Sequence, residues 1–146
     1  AFLLTMGIET LGLRMERHCS NAARVAAFLA AHPKVDATGY PGLDSHPAHA
    51  IARREFGDRY GGVVTLKLGT RERCFGFING LRLAKNLANL GDVRTLVIHP
   101  ASTICRDLDA GERSALGVTD DLVRLSIGIE DPADIVGDLE QALAAT

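Results

Sequence analysis

The residues best equipped for chemistry in this chain lie in the run Leu122-Val123-Arg124-Leu125-Ser126-Ile127-Gly128-Ile129-Glu130-Asp131. Arg124 is a permanent cation set among apolar residues that alternate as in a half-buried strand. A guanidinium presents a planar fork of donors that fits a carboxylate or phosphate bidentately, so a strand that half-buries one must supply an anion. An internal Asp or Glu meets that need, and so does the anionic group of a ligand. The run alone leaves both open.

Other chemical candidates carry less. His46 and His49 are three apart, but Pro47 puts a turn between them and no carboxylate cluster accompanies them, which favours solvated surface histidines over metal ligands. His99, just before Pro100, has the chemistry of an acid or base near neutral pH, although a strand-end histidine more often holds a loop by hydrogen bonds. Cys105 sits beside Arg106, a cation that favours thiolate, yet nothing pairs it with a base, and an inert thiol is the expectation. Cys19, Cys74 and Cys105 are odd in number and form no C-x-x-C pair, which argues for free thiols rather than a disulfide framework or zinc site. The sequence contains no G-x-S-x-G, H-E-x-x-H, P-loop or G-x-G-x-x-G motif.

Composition bounds the rest. With 146 residues, 47% hydrophobic, 23% charged and a net charge of −2, the chain suits a single globular domain and offers no basic surface to nucleic acid. Apolar runs such as Val63 to Leu68 are too short to cross a bilayer, and the start lacks a secretory signal, so no membrane partner and a cytoplasmic location are expected. The opening Ala1-Phe2-Leu3-Leu4, without methionine and already helical in pattern, suggests a chain cut from something longer.

The elements that must position Arg124 follow from periodicity and end signals. Leu11, Met15, His18, Ala22, Val25, Ala26 and Leu29 recur at helical spacing, predicting a long leading helix over about residues 5–31 that stops at His32-Pro33. Val35 to Tyr40 reads as a short strand, Ala48 to Phe56 as a short helix, and Val63 to Leu68 as a strand. Thr70 caps a helix to about Gly80, and Leu83 to Ala88 and Thr95 to Ile98 read as two strands around the turn Asn89-Leu90-Gly91-Asp92. Asp109 with Glu112 forms a capping box for a helix that Gly117 ends, and the Arg124 strand follows. Asp131 caps, Pro132 begins, and Ile135, Leu139 and Leu143 line a closing helix. This order predicts an α+β domain with helices on one face of a largely antiparallel sheet.

Three segments together carry a specific resemblance: Gly7-Ile8-Glu9-Thr10-Leu11-Gly12-Leu13-Arg14-Met15-Glu16-Arg17-His18, then Ala88-Asn89-Leu90-Gly91-Asp92 through Ile98-His99-Pro100-Ala101-Ser102-Thr103, and the Arg124 strand. In order and spacing they resemble the C-terminal domain of the pyridoxal-phosphate enzymes of cysteine and methionine metabolism, over essentially all of residues 1–146. Within that family the Asn89 turn and the Ile98-His99-Pro100 run look most like O-acetylhomoserine sulfhydrylase; the lyases and cystathionine synthases more often have serine in the place of Asn89.

The resemblance implies the small C-terminal domain of a fold-type I (aspartate aminotransferase-like) enzyme and a role for the cation. Arg124 matches the arginine that salt-bridges the substrate α-carboxylate, Asn89 and Leu90 match the turn beside that carboxylate, and Thr103 would help shape the pocket. It also implies an amino-acid substrate with a free α-carboxylate, an N-terminal pyridoxal-phosphate domain as partner and a homotetrameric parent. Two features depart from the pattern. Ile104-Cys105 stands where the family usually has Thr-His, and none of Lys34, Lys67 and Lys85 sits in the Ser-x-Thr-Lys setting that holds the cofactor. The expectation is therefore a domain without catalytic or cofactor-binding residues of its own, inactive alone. Its parent would perform γ-replacement on O-acetylhomoserine to give homocysteine or methionine. The alternatives are a cystathionine synthase or lyase, a methionine γ-lyase, or a non-catalytic amino-acid-binding or oligomerisation module.

Overall fold

In the computed structural model, which describes residues 2–146, two helices replace the single leading helix: α1 (Phe2–Glu9) and α2 (Leu11–Ala31). The break has a local cause. The Arg14 guanidinium reaches back to the Gly7 carbonyl and the Thr10 hydroxyl, placing a cation at the carbonyl end of α1. No described residue of α1 is buried, and the buried face of α2 begins only at His18, so Leu11 and Met15 fall outside the seam their spacing predicts.

The remaining elements are β1 (Ala37–Gly39), α3 (His49–Phe56), β2 (Val63–Lys67), α4 (Arg71–Gly80), β3 (Lys85–Asn86), β4 (Leu96–Ile98), a 3-10 turn at Pro100–Ser102, α5 (Ala110–Ala115), β5 (Leu122–Ser126) and α6 (Pro132–Ala144). The predicted caps are present. Thr70 accepts from the Arg73 N–H, Asp109 and Glu112 bond reciprocally, and Asp131 accepts from the Ala133 N–H.

The sheet has the order β1-β2-β5-β4-β3, antiparallel except at β3-β4. Alternation along the strands gives it two unlike faces. Val64, Leu66, Val97, Val123 and Leu125 join Val25 and Leu29 of α2, Phe77 of α4, and Ile135, Leu139 and Leu143 of α6 in one core. Burial of this apolar surface, worth about 25 cal/mol per Å², holds the three helices to that face. Thr65, Lys67, Leu122, Arg124 and Ser126 point the other way.

The pair β3-β4 corrects an expectation. The reading of Leu83 to Ala88 and Thr95 to Ile98 as strands around a turn implies neighbours joined at one end, yet Lys85 and Asn86 run parallel to Leu96 and Val97. Residues 87–95 do not turn back immediately. They run along β5 on the side of the sheet away from the apolar core, bonded to Arg124 and Ser126, and β4 therefore starts beside Lys85. Strand β3 is also shorter than predicted, because the N–H groups of Arg82, Leu83 and Ala84 donate to the Asp138 carboxylate on α6 instead of to a strand (2.8, 3.0 and 3.0 Å).

Candidate functional site

Arg124 lies mid-strand in β5, opposite Thr65 on β2 and Ile98 on β4. It projects, half-buried, onto the face turned away from the apolar core. Among the described residues its one hydrogen bond runs from Nη2 to the Asn89 carbonyl (3.2 Å), and its Nε is buried with no partner. No carboxylate among the described residues lies within ion-pair distance. Burial pushes its pKa below the ordinary arginine value, and the neighbouring Cys105 thiol acts in the opposite direction. The internal ion pair that the sequence left open is thus not made. What remains is a desolvated cation with donor capacity to spare, the arrangement that accepts a carboxylate or phosphate from outside.

The crossing segment brings Asn89 to Arg124 through its backbone carbonyl. The Asn89 side chain is spent locally, its Oδ1 accepting from the Leu90 N–H (2.9 Å), and the Leu90 side chain is exposed. Thr103 is not drawn to Arg124 by any hydrogen bond; its hydroxyl donates to the His99 carbonyl (2.8 Å) and closes the turn after β4. That turn leads into Ile104-Cys105, the pair that stands where the family usually has Thr-His. Ile104 is exposed, whereas Cys105 is buried near the guanidinium.

His99 has the loop-holding role. Its Nε2 donates to the Asp120 carbonyl (2.8 Å), which leaves Nδ1 to accept from the Ser102 hydroxyl (2.9 Å), and its ring meets Phe75 edge-on. The solvated-surface reading of His46 and His49 needs correcting. Both are partly buried: Nδ1 of His49 donates to the Pro41 carbonyl (2.8 Å) with Nε2 3.3 Å from Asp44, while Nδ1 of His46 accepts from the Ala48 N–H (3.2 Å). No group of three or more potential metal ligands occurs among the described residues, and all three cysteines are free.

Sequence reasoning missed the residues that fix the crossing segment. Glu130 accepts from the Thr95 N–H (2.6 Å) and hydroxyl (3.0 Å), and the Ser126 hydroxyl accepts from the Gly91 N–H (3.3 Å). Thr95, a polar residue at the head of an apolar strand, was the available signal; Glu130 was hidden beside the cap at Asp131. An open groove of about 410 Å³ lies on the same sheet face, lined by Ala37, Thr65, Lys67 and Leu122 but not by Arg124.

The lysines do not fit a pyridoxal site. Lys34 donates to the Leu143, Ala144 and Thr146 carbonyls (2.9, 2.9 and 3.2 Å), Lys85 to the Arg82 carbonyl (3.1 Å), and Lys67 stands 3.8 Å from Asp121. Each is tied to its own neighbours. No described helix is long and apolar enough to cross a membrane.

Comparison with known proteins identifies the family and the fold. Residues 1–144 match the family described as "Cys/Met metabolism PLP-dependent enzyme". The chain is 46% identical to homocysteine synthase of Schizosaccharomyces pombe, covering 97% of this chain and 33% of the relative. It is 45% identical to O-acetyl-L-homoserine sulfhydrylase of Leptospira meyeri (98% and 33%) and 44% identical to L-methionine gamma-lyase of Fusobacterium nucleatum subsp. polymorphum (98% and 36%). A solved Campylobacter jejuni structure assigned as an O-acetylhomoserine (thiol)-lyase, which carries a pyridoxyl-lysine phosphate, superposes with a TM-score of 0.95 at 37% identity. That match covers 97% of this chain and 34% of the other. The chain thus spans about a third of the length of the relatives it matches.

Proposed function

Since this chain belongs to the Cys/Met metabolism PLP-dependent enzymes, we propose that it is the C-terminal, carboxylate-binding domain of a longer enzyme of that family. The observation that carries the reading is Arg124: a half-buried guanidinium whose bond to the protein goes to a carbonyl and whose Nε is orphaned. A bidentate carboxylate completes it. A fork mounted on a strand fixes the rotation of an amino acid about its Cα better than a flexible ammonium can, and orientation of this kind is a large part of catalysis. Asn89 holds the guanidinium from one side, while Leu90 and Thr103 shape the rim.

The reaction we assign to the whole protein is γ-replacement on O-acetylhomoserine by sulfide or a small thiol, giving homocysteine or methionine. Asn89 in the turn and the sulfhydrylase and homocysteine synthase relatives support it. The electron-sink chemistry of pyridoxal phosphate belongs to the remainder of the protein, because the lysines here are engaged elsewhere. Alone, the chain is inactive. The parent is a cytoplasmic homotetramer in this reading. A second reading, γ-elimination, is favoured by the equally similar methionine gamma-lyase; product analysis with O-acetylhomoserine plus sulfide against methionine alone separates them.

Arg124→Lys in the full-length protein tests the clamp. Replacing the fork by a point charge removes charge-assisted hydrogen bonds worth roughly 1.5–3 kcal/mol and should lower kcat/KM for the amino acid about a hundredfold with little change in Tm. A large fall in Tm with near-normal kcat/KM would refute it.

A further inference from the structure

The crossing segment is stitched to β5 and its continuation at every second residue. Asn89 O takes Arg124 Nη2 (3.2 Å), Gly91 N meets Ser126 Oγ (3.3 Å), Val93 O takes Ile129 N (2.9 Å), and Thr95 meets Glu130 through both its N–H and its hydroxyl (2.6 and 3.0 Å). Thr95 Oγ1 also accepts from the Gly128 N–H (3.0 Å). The approach is close: a Cβ on Gly128 would stand 2.5 Å from both the Val93 oxygen and the Arg94 carbonyl carbon. Gly91, at φ +72°, supplies the left-handed bend within the segment.

These stitches are unequal. The Thr95 end is anchored by two short bonds to one carboxylate. Glu130 is itself mounted on α2, because Asn21 Nδ2 donates to the Glu130 and Gly128 carbonyls (2.8 and 3.0 Å). The Asn89 end is exposed; besides Arg124 it has backbone bonds only, from Asn89 N–H to the Leu87 carbonyl (3.1 Å) and from Leu87 N–H to the Val97 carbonyl (3.2 Å). The Asn89 oxygen, and with it the guanidinium it meets, is therefore held between two anchors, the β3 pairing on one side and the Thr95–Glu130 bonds on the other.

We propose that Glu130, acting through Thr95, is a positioning residue for the Arg124 carboxylate clamp. It touches neither the guanidinium nor the ligand. A carboxylate is suited to the task because it accepts two bonds at once from the N–H and O–H of a single residue, which fixes that residue in both position and rotation. The inference rests on the clamp reading above.

The test uses the full-length protein with Glu130→Gln, Thr95→Val and Thr95→Ser, each alone and with Arg124→Lys. Glu130→Gln and Thr95→Val should raise KM for the amino-acid substrate about five- to tenfold, with a smaller change in kcat, as expected for members of one hydrogen-bond network. Thr95→Ser, which keeps the hydroxyl, should restore KM. In the Arg124→Lys background the KM effect of Glu130→Gln should disappear, since there is then no fork to aim. Hydrogen exchange gives a readout independent of turnover: amides of residues 91–95 should exchange faster in Glu130→Gln while those of β2 and β5 stay protected. Equal KM effects with and without Arg124, or faster exchange across the whole sheet, would overturn the proposal and leave Glu130 a purely structural residue. A normal KM for Arg124→Lys by itself would instead sink the clamp, so the two failures are distinct.

Discussion

Asp138→Ala should cost more than most substitutions on the buried face of α6. The Asp138 carboxylate, itself nearly buried, accepts from the N–H groups of Arg82, Leu83 and Ala84 at 2.8–3.0 Å and from Gln141 Nε2 at 3.1 Å. Alanine removes all four acceptor contacts. The Arg82 N–H can turn to water because that residue is exposed, but Ala84 is buried and Leu83 half-buried, so their donors lose partners in the interior. An unsatisfied buried donor costs about 1–3 kcal/mol, and hydrogen bonds to a charged group contribute about 1.5–3 kcal/mol each. Together these give a loss of about 3–5 kcal/mol, which for a domain of this size lowers Tm by roughly 8–16 °C. Asp138→Asn keeps one accepting oxygen while its NH₂ opposes a backbone N–H, and should fall between alanine and the parent. Denaturant and thermal unfolding of the three proteins provide the measurement. A loss below about 1 kcal/mol for Asp138→Ala would refute the reasoning, showing that water or a local shift satisfies the freed donors. Because β3 leads into the crossing segment, the same variant should also raise KM for the amino acid.

Cys74 is fully buried, and burial pushes its thiol up from the ordinary 9.0 to about 11. The unfolded chain gives up this proton first, so the contribution to stability is complete below about pH 9 and is lost as pH rises towards 11, by about 2–3 kcal/mol. Cys74→Ala should flatten that part of the pH–stability curve, and an unchanged slope would contradict the assignment; Tyr40, also raised by burial, adds loss at still higher pH. The isolated chain mixed with pyridoxal phosphate should show no protein-bound chromophore that borohydride fixes to Lys34, Lys67 or Lys85, and peptide mapping that finds such a label would overturn the reading of those lysines as engaged.

Much of this protein is written in local sequence. The caps at Thr70, Asp109 and Asp131 act between neighbouring residues, which is why their helices begin where predicted. Strands β2 and β5 and the closing helix follow from alternation and from the spacing of Ile135, Leu139 and Leu143, patterns that mean the same thing wherever one face is buried. The sequence likewise marked Arg124 as a cation in want of an anionic partner, since its charge is permanent. It did not determine which anion, because any of the acidic residues could have been folded against it. Only the tertiary arrangement excludes them, by placing Arg124 on the face away from the core beside a segment that offers a carbonyl. The parallel β3-β4 pair, the path of residues 87–95 and the bonds from Glu130 to Thr95 and from Asp138 to residues 82–84 were equally unreadable. Each joins groups distant in sequence, and a carboxylate carries no local mark of the N–H it will accept. Their partners are selected by the layering of α2 and α6 on the sheet, a global property of the core.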